Sequence, residues 1–261
     1  MAKMLNEKIQ KIEQIADGIF KMTLKSEYIA QNALPGHFVN VKCCEGINAL
    51  LRRPISICSA DKENNCYDIV FQIKGTGTEL LSKKQKDTNV DVLGPLGKSF
   101  DIDKKYDRIA VVGGGIGIFP LLFLLNESNA IVKRSNLGFR SSNLIVLKEE
   151  FKNISSSLNI STDDGSEGYK GFITHLLVRD IEDARFDIIY ACGPMPMIKQ
   201  TIKISEKYGI PCQVSLEQRM GCGIGACLVC ACKTKNGEDW RYSHVCKDGP
   251  VFWSSELILD E

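Results

Sequence analysis

The chain carries almost no excess of charge. Its 33 basic residues nearly cancel its 32 acidic ones, leaving a formal net charge of +1, which gives no reason to expect nucleic acid or an anionic membrane surface as partner. It also lacks a long unbroken hydrophobic run. The longest, residues 109–125, is interrupted by Gly113, Gly114, Gly115, Gly117 and Pro120. A membrane helix needs about 20 apolar residues, so no membrane span is expected and the run reads as a buried strand, a turn and a helix. Residues 1–11 alternate charged and apolar side chains and hold no apolar core of a secretory signal. No internal repeat or low-complexity tract is visible. Missing too is any cluster of acids, bases and nucleophiles that would act on an organic substrate, which points to a chain whose chemistry is carried by bound groups.

What is present is ordinary globular composition, 44% hydrophobic and 25% charged over 261 residues, enough for two domains and a small appendix. Cysteine is the exception. There are 11, an odd count that argues against a full disulfide framework, and Cys222, Cys227, Cys230, Cys232 and Cys246 crowd into one short segment, as in a metal site. The cytoplasm is the expected compartment.

Residues 9–99 show short runs of β-formers broken by turn residues, among them Gly18-Ile19-Phe20-Lys21-Met22-Thr23-Leu24, Gly36-His37-Phe38-Val39-Asn40-Val41 and Tyr67-Asp68-Ile69-Val70-Phe71-Gln72-Ile73. Strands so closely spaced predict a small antiparallel barrel, closed by Gly94-Pro95-Leu96-Gly97. From Asp107 strands alternate with helices. Residues 108–112, 159–162 and 187–191 read as strands, and 119–126, 174–178 and 196–208 as helices, which together predict a parallel sheet covered by helices. Residues 144–151 mix branched and charged side chains and are assigned to a helix. A last strand, 213–216, leads into the cysteines. The expected fold is therefore multi-domain: an antiparallel β-barrel (1–101), an α/β parallel-sheet domain (102–212) and a small metal-cluster domain (213–261).

The spacing Cys222-x4-Cys227-x2-Cys230, with Cys246 beyond, is that of plant-type [2Fe–2S] proteins. A loop bringing thiolates around one small cluster must bend sharply, and Gly221, Gly223, Gly225 and Ala226 allow this while freeing amide N–H groups for sulfur. A structural zinc site and a set of buried cysteines are the alternatives, although zinc loops usually space their ligands as C-x2-C pairs. Cys232 is read as a bystander thiol, and His244 as solvated.

Gly113-Gly114-Gly115-Ile116-Gly117 follows a predicted strand and precedes an apolar helix, where backbone could approach a pyrophosphate. Ile118 stands where a Rossmann fingerprint needs its last glycine, so that motif is not met. Cys192-Gly193-Pro194 ends another strand of the same sheet, and both segments would share its carboxyl edge. Cys192 is the candidate catalytic contact there, as a small polarizable thiol.

Taken together these segments resemble the ferredoxin-reductase superfamily, in which a flavin-binding barrel precedes a nicotinamide-binding domain. Arg53-Pro54-Ile55-Ser56 matches by position the Arg-x-aromatic-Ser/Thr motif that binds FAD in that family, with Ile55 in place of the usual aromatic. The resemblance implies FAD contacts at these four residues, at Val70, Phe71 and Gln72, and at Gly77 and Thr78 of the phosphate turn Gly75-Thr76-Gly77-Thr78. It implies NAD contacts at Gly113, Gly114, Gly115, Gly117, Cys192, Gly193 and Pro194. It also makes Gly94-Pro95-Leu96-Gly97 the interdomain linker.

The added tail, with Gly138-Phe139-Arg140-Ser141, Thr162-Asp163-Asp164-Gly165-Ser166 and Lys170-Gly171-Phe172, is similar to electron-transfer subunits of the NAD-dependent (type B) dihydroorotate dehydrogenases. That narrower resemblance spans nearly the whole chain. It implies FAD, one [2Fe–2S] cluster on Cys222, Cys227, Cys230 and Cys246, NAD, and a catalytic partner carrying FMN in a heterotetramer of two of each subunit. Leu228, Val229, Val251 and Phe252 are the candidate contacts with that partner. Two other functions remain open: a subunit of another NAD(P)H-linked complex (sulfide dehydrogenase, hydrogenase or transhydrogenase), and a redox-sensing or metal-binding module without turnover.

Overall fold

The computed structural model describes residues 2–46, 48–102 and 106–259. Residues 1, 47, 103–105, 260 and 261, the outer ends of the expected domain ranges among them, lie outside the described residues.

The first half alternates as a barrel requires. Strands β1 (Lys3–Ala16), β2 (Ile19–Lys25), β3 (Phe38–Val41), β4 (Arg53–Asp61), β5 (Cys66–Gln72) and β6 (Asn89–Leu96) close among the described residues in the order β1-β2-β5-β4-β3-β6, each pair antiparallel. Met22 and Leu24 of β2, Val39 and Val41 of β3 and Ile57 of β4 fill the interior, with polar neighbours between them as the two-residue period of a strand demands. Helix α1 (Glu27–Asn32) starts at Ser26, whose Oγ accepts from the Ile29 N–H at 3.1 Å. Helix α2 (Thr76–Ser82) begins in the glycine–threonine turn. Gly94, Pro95 and Leu96 belong to β6 itself, so the segment expected as a linker completes the barrel before it leaves it.

The second half forms a sheet in the order β10-β9-β8-β7-β11-β12-β15: β7 (Arg108–Gly114), β8 (Val132–Phe139), β9 (Ser157–Thr162), β10 (Tyr169–Lys170), β11 (Ile188–Cys192), β12 (Cys212–Ser215) and β15 (Val251–Trp253). All neighbours are parallel except β15, which runs antiparallel to β12. Strand β7 is apolar on both faces because both are covered, with Ile109 and Val111 in one core and Ala110 and Val112 in the other. Helix α3 (Ile118–Glu127) is apolar all round for a similar reason. Its Leu121 packs on the sheet, its Phe119 and Leu122 share a core with Cys58 and Val70 of the barrel, and Phe123 enters the barrel core.

Helices α4 (Lys148–Ile154), α5 (Ile173–Asp183) and α6 (Met195–Tyr208) complete this part. The helix assigned to 144–151 begins only at Lys148. Ser142–Leu144 is a short 3-10 turn, and Leu147 takes a left-handed backbone (φ 55°) that breaks the run before the acidic first turn. A hairpin of β13 (Ala231–Asn236) and β14 (Asp239–His244) stands between β12 and β15. Strands β12 and β15 both come from the segment expected as a separate cluster domain, yet both hydrogen-bond into the large sheet.

Strand β8 buries polar side chains. Asp180 of α5 accepts from Arg134 Nη1 at 2.9 Å, Asn136 Nδ2 at 2.9 Å and Asn159 Nδ2 at 3.1 Å, which fastens the helix to the sheet. Removing one partner of such a network leaves buried donors unsatisfied. Asp180→Ala should cost about 3 kcal/mol of unfolding free energy, read as a lower urea midpoint at unchanged slope.

Candidate functional site

A cavity of about 420 Å³ opens along the seam between barrel and sheet. Arg53, Pro54, Ile55 and Ser56 of β4, Val70, Phe71 and Gln72 of β5, and Thr78 of α2 line it from the barrel side, and Cys192 of β11 from the other. One wall thus gathers residues from separate motifs of the sequence. Ile55 borders both this cavity and the barrel core, so an aliphatic side chain is compatible with the site. Gly77 stands behind Arg53: a Cβ there would lie 2.7 Å from Arg53 Nε. The missing side chain leaves room for the guanidinium. The Thr78 hydroxyl accepts from Lys74 N–H at 2.9 Å and donates to the Gly75 carbonyl at 3.0 Å, holding the turn closed. A planar, charged fork beside a tight turn in the cavity wall fits a dinucleotide with its pyrophosphate.

The glycine turn after β7 and the Cys192-Gly193-Pro194 turn after β11 lie side by side, with Cys192 opposite Gly113 in register. They pack backbone against backbone. A Cβ on Gly117 would meet the Cys192 carbonyl oxygen at 2.4 Å, and one on Gly114 would meet Pro194 Cδ at 2.6 Å. Those glycines serve the fit of one turn to the other, whereas Gly115 has open space around it (φ +54°). Neither turn's glycines nor Pro194 line the cavity. Ile116, between them, does.

Burial pushes the Cys192 thiol up to about 12; nearby Glu217 adds to this and a hydrogen bond with Ser215 opposes it. The group is a neutral, polarizable thiol at physiological pH and no thiolate nucleophile. The carboxyl of Glu217 is itself raised by burial, with Lys74 opposing. Sequence reasoning passed over Lys74, Ser215, Glu217 and Met220, which also line the cavity. The available signal was position. Ser215 ends β12 and Glu217 follows it, at the carboxyl edge of a parallel strand, where ligands bind in open α/β sheets.

The cysteine loop begins a few residues beyond. Three amides point at one sulfur: Ile224, Ala226 and Cys227 N–H donate to Cys222 Sγ at 3.5, 3.3 and 3.4 Å. Burial would raise the Cys222 thiol, but these backbone bonds prevail and bring it down to about 6. Gly225 N–H donates to Cys246 Sγ at 3.1 Å. Burial and contact with Cys230 push the Cys246 thiol up to about 12.

The Cys222 thiol meets that of Cys227, and the Cys246 thiol meets that of Cys230 and feels Cys222 as well. Thiols wrapped by backbone amides suit the sulfur-rich environment of a [2Fe–2S] centre. Cys232 lies on β13, opposite Ser243 in the hairpin. His244 is half-buried, its backbone N–H donating to Asp248 Oδ2 at 2.7 Å.

Of the four apolar residues proposed to face a partner, Leu228 and Val229 are exposed. Val251 and Phe252 are not. Both are buried in β15, where they complete the sheet cores, so they cannot present a surface.

The chain's similarities agree with this geometry. A family model described as the iron–sulfur cluster binding domain of dihydroorotate dehydrogenase B matches residues 217–258. A protein of Lysinibacillus sphaericus (strain C3-41) named dihydroorotate dehydrogenase B (NAD(+)), electron transfer subunit is 42% identical over 252 residues, 95% of each chain. One of the same name from Shouchella clausii (strain KSM-K16) is 39% identical over 96% of each. Among solved structures, one titled as an NADH-dependent reduced ferredoxin-NADP oxidoreductase, with flavin-based electron bifurcation, superposes with a TM-score of 0.85 and 31% identity, covering 99% of this chain and 91% of that one. The cytochrome b5 reductase domain of Ulva prolifera nitrate reductase superposes at 0.65 with 19% identity over 80% of this chain and 94% of that one, a likeness of fold.

Two substitutions test the cavity. A charge-assisted hydrogen bond contributes about 1.5–3 kcal/mol, so Arg53→Ala should weaken FAD binding about tenfold or more. Gly77→Ala, which pushes on the same guanidinium, should act in the same direction. Both variants should keep their iron, and full flavin occupancy in Arg53→Ala would refute the assignment.

Proposed function

The chain belongs to the family of dihydroorotate dehydrogenase B (NAD(+)) electron transfer subunits, and from that premise we propose that it relays electrons between NAD(H) and an FMN-bearing dihydroorotate dehydrogenase catalytic subunit, in a heterotetramer of two of each. The observation that carries this reading is the shared wall: Ser215, Glu217 and Met220 line the same cavity as the Arg53 motif and lead directly into Cys222.

Bound FAD supplies the exchange between a hydride pair, which nicotinamide gives or takes, and single electrons, which a [2Fe–2S] cluster carries. The chain's own residues hold and orient. Arg53 pairs with the pyrophosphate, with Gly77 and Thr78 shaping the turn beside it. Pro54, Ile55, Ser56, Val70, Phe71 and Gln72, which line the cavity with Arg53, would hold the ring system. Gly113, Gly114, Gly115, Gly117, Gly193 and Pro194 form the paired turns that receive NAD. Cys192, neutral and buried, is the catalytic contact that fills the space where nicotinamide meets flavin without adding charge. Cys222, Cys227, Cys230 and Cys246 hold the cluster, and their amide wrap favours its negative charge.

Exposed Leu228 and Val229 lie between the second and third ligands, and with Ile224 they form the face we assign to the catalytic partner. No helix among the described residues is long and apolar enough to cross a membrane, and a cytoplasmic complex is the setting this reading expects. A second reading is favoured by the 31% identical oxidoreductase: membership of another NADH-linked bifurcating complex. The partner that co-purifies with the chain separates the two.

Purified chain should contain FAD and two irons, pass electrons from NADH to dyes, and leave dihydroorotate untouched unless the catalytic subunit is added. Dihydroorotate-dependent NAD reduction by the chain alone would refute the relay. At the cluster, serine at any of the four ligands should abolish or alter the absorption and paramagnetic signals, whereas Cys232→Ser should leave them unchanged. Leu228→Asp should weaken the complex by about 1–3 kcal/mol, seen by sedimentation, with NADH–dye activity intact.

A further inference from the structure

Asn40 is a polar residue in an unusual place. It sits on barrel strand β3, is 1% exposed, and lies opposite Pro54 of the flavin motif in register. Phe38, two residues earlier on the same strand, lines the cavity. The Asn40 side chain turns to the cysteine loop: Nδ2 donates to the Cys222 carbonyl oxygen at 3.3 Å. From the loop's side Gly223 rests on the same amide, close enough that a Cβ there would come within 2.4 Å of Nδ2.

The loop's polar groups are thus divided. Its amides at 224, 226 and 227 face the Cys222 sulfur, and the Cys222 carbonyl faces the barrel. Asn40 Oδ1 is buried with no hydrogen-bond partner among the described residues. An orphaned buried oxygen costs stability, so a plain packing role would be better served by an aliphatic side chain of similar volume. The amide is held for what its donor does.

We infer that Asn40 is a positioning residue that fixes the cluster loop against the flavin-binding barrel and so sets the rate of electron passage between the two groups. It touches neither group's reacting atoms and acts through the Cys222 backbone. Losing one neutral hydrogen bond lets the loop leave its seat more often, and small misplacements of reacting groups cost rate steeply. This inference rests on the relay reading above.

The test uses the complete chain with FAD and cluster bound. Asn40→Leu removes the donor at similar volume; Asn40→Ala removes it with less risk of crowding. Flash reduction of the flavin, followed by the bleaching of the cluster, reports the internal transfer directly, and NADH-driven flavin reduction is measured beside it. In whichever variant keeps both groups, internal transfer should slow by about five- to tenfold, the cluster's paramagnetic line shape should change, and flavin reduction by NADH should stay at the wild-type rate. Wild-type internal transfer in such a variant would overturn the inference. So would loss of flavin or iron from both variants, which would make Asn40 a structural residue only. Wild-type chain that binds no flavin or no cluster would instead overturn the relay reading.

Discussion

A short antiparallel ladder governs the placement of the cysteine loop relative to the rest of the chain. Strand β12 enters the cysteine segment and β15 leaves it, and the two pair through Gln213 with Trp253, Val214 with Phe252 and Ser215 with Val251. Val214, Val251 and Phe252 are buried at that seam, so opening the ladder would expose apolar surface from both sheet cores. Everything between Ser215 and Val251 is therefore a closed excursion from the edge of the nicotinamide sheet. Gly97 strengthens the closure from the barrel side, since a Cβ there would come within 2.4 Å of Pro250 Cδ, and Lys98 N–H donates to the Gly249 carbonyl at 2.6 Å.

Motifs whose chemistry needs fixed residue types were readable without coordinates. Arg53-Pro54-Ile55-Ser56, the two edge turns and the four-cysteine spacing were each visible; the first lines the cavity, whereas the turns reach it only through Ile116 and Cys192. What escaped was decided by tertiary contact. Strand β8 reads Val132-Lys133-Arg134-Ser135-Asn136-Leu137, too polar to betray a central strand. Ser135 and Asn136 are nonetheless buried because Ser155 and Asp180 satisfy them. Val251 and Phe252 looked like surface near a metal loop, because nothing local to a three-residue strand reveals the neighbour it pairs with. Glu217 hid for a similar reason: a carboxylate beside a cysteine motif carries no mark of the cavity behind it.

The cavity's electrostatics fit a relay. A site that activates an organic substrate needs groups poised to move protons near neutral pH. Here burial keeps Cys192 neutral and the Thr78 hydroxyl is spent on its own turn, which leaves Glu217, raised by burial with Lys74 opposing, as the one lining carboxyl among the described residues. Arg53, a cation in the wall, matches a fixed anion better than a transient one. Such a wall selects bound groups by shape and leaves the redox chemistry to them.

The chain itself bounds how far apart those groups can lie. Consecutive residues span at most about 3.6 Å each. Met220 lines the cavity and stands two residues from Cys222, so their α-carbons are separated by at most about 7 Å. Pro250 lines the cavity too, four residues beyond Cys246, a limit of about 14 Å. Cys222 and Cys246 are thus tethered to the same cavity wall from opposite ends of the excursion. From the barrel side Asn40 meets the first end of that excursion at the Cys222 carbonyl, as Lys98 meets its last end at the Gly249 carbonyl.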